Sequence, residues 1–104
     1  MKTINLFQPI VNLESVTMKK EGNQDLMMNE IVANTMCVAK AKKNDDVVRQ
    51  LNLAMEIYKA KAPIDLEDAD VKLTRETLLA ADLSTLVLGQ IIKTIDSAEV
   101  KKKD

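Results

Sequence analysis

Leu26-Met-Met-Asn-Glu-Ile-Val-Ala-Asn-Thr-Met-Cys-Val-Ala-Lys-Ala-Lys42 is the stretch on which the fold turns. It holds neither proline nor glycine, and it stays apolar on nearly every side until Lys40. A helix of that kind is normally surrounded by other elements, so 26–42 is expected to be the central helix of the domain. Asp25 stands where an N-cap would accept the free amides of a first turn. Lys40, Lys42 and Lys43 follow at the other end, where the helix dipole favours cations.

Downstream, Asn44 or Asp45 opens a second helix over 45–61. Val47, Leu51, Ala54, Tyr58 and Ala62 recur at steps of four, three, four and four, which marks one inward face. Val48, Met55 and Ile57 widen it, while Arg49, Gln50, Glu56 and Lys59 point outward. Pro63 stops the helix, because the residue before a proline is pushed out of helical geometry. Ile64-Asp65-Leu66 reads as an extended link. A third helix is expected over 67–81, with Ala69, Leu73, Thr77 and Ala80 inward and Leu78 and Leu79 on its flank. The fourth, 85–97 behind the cap at Ser84, should bury Val87, Ile91, Thr94 and Ala98. Gly89 inside it suggests a close helix approach.

Upstream, Ile4 and Leu6 alternate with polar neighbours, as do Val16 and Met18, and Glu21-Gly22-Asn23 supplies a turn. Residues 2–24 are therefore expected to form a two-stranded hairpin or a pair of extended segments, looping around 9–15. The expected architecture is mainly α with minor β. About four short helices form one domain over 1–104: extended 2–24, helical 25–98 and a frayed tail 99–104.

A 104-residue chain that is 46% hydrophobic and 30% charged is globular in composition. Phe7 and Tyr58 are the only aromatics, so the core must be aliphatic, filled out by methionines that pack adaptably. The net charge of −1 gives no field to steer the protein onto a polyanion. One cysteine, Cys37, cannot form an internal disulfide, and in an apolar helix it should be buried and inert. No apolar run suggests a signal peptide or a membrane span, so the expected setting is the reducing cytoplasm.

The residues exclude much chemistry. With no histidine, the commonest general base and the Ser-His-Asp and Cys-His pairs are missing. A single cysteine cannot build a structural zinc site. Gly22 and Gly89 are isolated, so neither phosphate-cradling loop can be written. Asp65-Leu-Glu-Asp-Ala-Asp70 invites a calcium reading, but Asp70 stands where the loop needs glycine. Acidic residues in a first helical turn explain it better. No enzyme, no metal and no cofactor are expected.

Two binding readings remain. Leu78-Leu79 and Leu86-Val87-Leu88 exceed the obvious inward positions, so Leu78, Leu79, Leu86 and Leu88 are candidates for a protein interface, a homo-oligomer included. Lysines cluster at 19–20, 40–43, 59–61 and 101–103, which raises nucleic-acid association as the alternative. Only two arginines and two aromatics weigh against it.

The order of features resembles small, uncharacterised proteins of tailed bacteriophages and prophages. It lies in Ile-Asn-Leu-Phe-Gln-Pro-Ile (4–10), Gly-Asn-Gln-Asp-Leu (22–26), Glu-Ile-Val-Ala-Asn (30–34) and Leu-Ala-Met-Glu-Ile-Tyr-Lys-Ala (53–60). Ile-Asp-Leu (64–66) and Leu-Val-Leu-Gly-Gln-Ile-Ile (86–92) complete it. The resemblance implies phage origin and a role through protein contact, in virion assembly or in interference with a host system. It brings no site residues with it.

Overall fold

The computed structural model describes residues 1–100, and the lysines at 101–103 lie outside them. Helix α1 (Met28–Val38) is shorter at both ends than its composition suggests. Asp25 does not cap it, because Gln24–Asp25 forms strand β3 against β2 (Lys19–Lys20). Instead, backbone carbonyls fill the role: the amides of Met28 and Asn29 donate to Gln8 and Leu6 at 2.8 and 2.9 Å. At the other end the Gln50 amide donates to the carbonyls of Met36 and Ala39, at 2.8 and 2.9 Å. These are among the acceptors that a helix end leaves open, and Ala39 is already extended.

Helix α2 (Val47–Lys59) packs along α1, and α3 (Asp68–Ala80) reaches α1 and α4 (Thr85–Asp96). One continuous aliphatic core joins Ile4, Leu6 and Ile10 to Val32 and Met36 of α1, Ile57 of α2, Leu78 of α3 and Ile91 and Ile95 of α4. The molecule is thus mainly α with minor β, as expected. The expectation that α1 is enclosed needs correction. Cys37 is exposed, and Val38 is 87% exposed. Neither α2 nor α3 covers that part of the helix.

Strand pairing differs from the expected hairpin. β1 (Lys2–Ile4) lies between β4 (Ile64–Leu66) and β5 (Glu99–Val100), antiparallel to both, with Lys2 opposite Leu66 and Val100. The link at 64–66 is therefore a strand. So is 99–100, which the sequence left in a frayed tail. Within the N-terminal region, Ile10 donates to Leu26, Leu26 to Met18 and Met18 back to Ile10, at 2.7–2.9 Å. This ring of three backbone bonds ties 8–12, 16–20 and 24–28 together. Gly22 and Asn23, at φ 81° and 59°, make the turn between the last two, as their residue types suggest. Gln90 of α4 fastens the ring to the helices by bonding both backbone groups of Val11, at 2.7 and 3.0 Å.

Helix faces also shift. In α3 the buried residues are Val71, Thr74 and Leu78, while Ala69 and Ala80 are exposed. Thr74 and Thr77 are tolerated because their hydroxyls donate to carbonyls one turn back, at 2.8 and 2.7 Å. In α4, Ile91 and Ile95 are buried and Val87 and Thr94 half-buried, as is Ala98 just beyond its end. Ser84 caps that helix, accepting from the Val87 amide at 3.3 Å. Arg75 reaches from α3 to Asp96 with bonds of 2.9 and 3.2 Å, which hold the Asp96 carboxyl below its ordinary range.

Gly89 is exposed, and a Cβ built on it would meet nothing within 4 Å. The close approach suggested by the sequence is not its reason. Gly89→Ala is therefore expected to stabilise the protein by about 1 kcal/mol, through the entropy glycine loses in a helix. Urea denaturation would register this as a higher midpoint with unchanged slope. A lower midpoint would mean that the position is constrained after all.

Candidate interaction surface

Helix α2 is apolar over more than half its circumference, and only part of that is covered. Its buried residues are Gln50, Leu53, Ala54 and Ile57. The adjoining arc carries Val47, Val48, Leu51, Met55 and Tyr58, each between 45% and 66% exposed. The expected inward face is thus displaced. Val47, Leu51 and Tyr58 look out, and Gln50, expected at the surface, is inside. At 100° per residue the five exposed side chains fall within one contiguous stripe. They run the length of a 13-residue helix, from its first residue to its last turn.

The candidates named from sequence fare unevenly. Leu78 is fully buried within its own chain and belongs to the core, not to an interface. Leu79 is half-exposed, Leu86 is partly buried, and Leu88 packs against the core from its edge. Sequence reasoning missed the α2 stripe although it named every residue in it. Its four-residue spacing alone reads as a face that packs inward.

Both signs of charge lead into α2, with Lys42 and Lys43 just before the aspartates. Asp45 and Asp46 lie in the 3-10 turn that leads into it, and Lys59 and Lys61 stand at its close. Asp46 also lies 3.8 Å from Arg49, one turn on.

A cleft of about 690 Å³ opens elsewhere, between the end of α1, the 39–43 loop and the second half of α3. Lys40, Lys42 and Lys43 line it, and so do Asp46, Glu76 and Asp82, so its charge is balanced. Lys19 is paired to Asp25 and Lys20 to Glu30, which occupies that cluster within the fold.

The acidic segment 65–70 is likewise spent on structure. Thr3 donates to Asp65 at 2.5 Å, the terminal amine pairs with Asp68 at 2.8 Å, and Arg49 pairs with Asp70 at 2.7 Å. Among the described residues no group of three or more His, Cys, Asp or Glu side chains could hold a metal ion. No described helix is long and apolar enough to cross a membrane. No family model, curated protein or solved structure matches the chain.

Proposed function

We propose that this protein works by contact with another protein, without catalysing a reaction, and that the outer stripe of α2 is its docking surface. The observation that carries the reading is five neighbouring apolar side chains left in water on one helix. Scattered apolar residues are ordinary on a surface, whereas a contiguous patch on the order of 500 Å² is of functional size. The same helix already has a full inward face, so this stripe adds nothing to the core. The resemblance to small phage proteins suits a cytoplasmic assembly or host-interference factor, a class that acts through such contacts. Nucleic-acid association is the weaker reading, because Lys19 and Lys20 are paired with acids and Lys40, Lys42 and Lys43 share their cleft with Asp46, Glu76 and Asp82.

A photo-crosslinking amino acid placed at Leu51, and separately at exposed Lys72 of α3, tests the proposal in cells that make the protein. Discrete adducts are expected from Leu51 and none from Lys72. Equal, sparse labelling at both positions would end it.

A further inference from the structure

We infer that the cleft between the end of α1, the 39–43 loop and α3 is a ligand site for a short apolar peptide with uncapped termini. None of the five stripe residues of α2 lines it, so the inference is independent of the docking reading above.

Its starting point is a buried acceptor that the fold leaves unused. Gln50 is only 4% exposed, and its Nε2 is taken by the carbonyls of Met36 and Ala39. No described group donates to its Oε1. Buried polar atoms ordinarily have a partner. Among the described residues Asn29 Oδ1 alone is wholly enclosed without one. Gln50 Oε1 therefore keeps an outlet, and the space that Gln50 borders is this cleft. A donor seated there would satisfy it.

The walls around that acceptor carry charges that the fold does not bring together. Lys40, Lys42 and Lys43 come from the loop, and Glu76 and Asp82 from α3 and the segment after it. None of the three lysines forms an ion pair with either acid. The other charged groups at hand are already engaged. Asp46 lies beside Arg49, which also holds Asp70, and Lys72 lies 4.0 Å from Glu76. With the signs near balance, a ligand of one net charge gains little. A ligand with a cationic end and an anionic end complements both walls. Between them the lining is aliphatic, from Val38, Leu73, Ala80 and Ala81, and no described aromatic is there to stack a base.

An uncapped apolar peptide meets all of these demands. Its carboxylate answers the lysines, its ammonium answers Glu76 and Asp82, and an internal N–H reaches Gln50 Oε1. Its side chains cover Val38, which is otherwise 87% exposed. The cleft, at about 690 Å³, is of ordinary size for a small-ligand site. A single amino acid carries both charges on one carbon and has no amide N–H, whereas a tripeptide spans roughly 10 Å.

Titration of the purified protein with the tripeptide Ala-Leu-Ala, followed by amide chemical shifts, tests this. Shifts are expected at Thr77, Ala80 and Ala81, with a dissociation constant on the order of 100 µM for a ligand of this size. Acetylating the peptide's amine, amidating its carboxylate or methylating its leucine N–H should each weaken binding about tenfold. Asp82→Lys, at an exposed position, should weaken the uncapped peptide about tenfold and leave the acetylated one unchanged. No shift at millimolar peptide would overturn the inference, as would equal binding of the capped forms or shifts confined to α2. Tighter binding of decanoate would overturn it too, by assigning the cleft to an anionic amphiphile. The crosslinking result at Leu51 is untouched by any of these outcomes, so the two readings fail separately.

Discussion

Leu78→Ala is expected to destabilise the protein by about 3 kcal/mol, while Leu79→Ala one position along should cost under about 0.5 kcal/mol. Leu78 is fully buried where α3 meets the core, and half of the Leu79 side chain is in water. Truncating a buried leucine removes its transfer free energy. It also leaves a void, because the surrounding helices relax only in part. The loss is large for a chain of 104 residues, whose total stability should be on the order of 5–15 kcal/mol. Urea unfolding of both variants, with slopes compared to the parent, measures the contrast. Equal effects would mean that α3 is rotated from the orientation described. The comparison also separates core from surface at two leucines that look interchangeable in sequence.

Gln50→Leu should cost about 2 kcal/mol, although it exchanges an amide for an apolar side chain in an apolar setting. The Gln50 Nε2 group serves the carbonyls of both Met36 and Ala39 at the point where α1 ends. Leucine would leave both acceptors without that donor. A buried acceptor deprived of its partner loses more than a hydrogen bond contributes on balance. Amide exchange should show faster opening across the last turn of α1, with the first turn little changed. Unchanged stability would mean that water reaches those carbonyls freely.

The existence of the four helices was legible in the sequence, and so was the extended character of 2–4 and 64–66. Local pattern encodes both. Which face of α2 turns inward was not. Eight of its thirteen residues are apolar, so the arcs around Leu51 and Leu53 compete on equal terms. Gln50 tips the outcome toward its own side by bonding to α1, a tertiary preference that periodicity cannot carry. Cys37 was misjudged for a related reason: an apolar neighbourhood in sequence is no proof of a covering element in space. The ends of α1 were too generous because alanine and lysine at 39–42 favour helix, whereas the Gln50 cap and the extended Ala39 close it earlier. Strand partners escaped altogether. Alternation marks a strand but says nothing of which distant segment will bond to it. The exposed stripe of α2 is legible only as surplus apolar surface, which the pattern alone places on α3 and α4.

The sheet also bears on how quickly the molecule can form. Its middle strand is made first, yet one neighbour follows roughly 60 residues later and the other nearly 100, so each edge is rewarded only after a long loop has closed. A bundle of four short helices would be expected to fold within microseconds to milliseconds, but this clasp should set a slower pace. While the chain is still emerging from the ribosome, Lys2–Ile4 must wait as an unpaired edge, and nascent helices will have assembled before it is claimed.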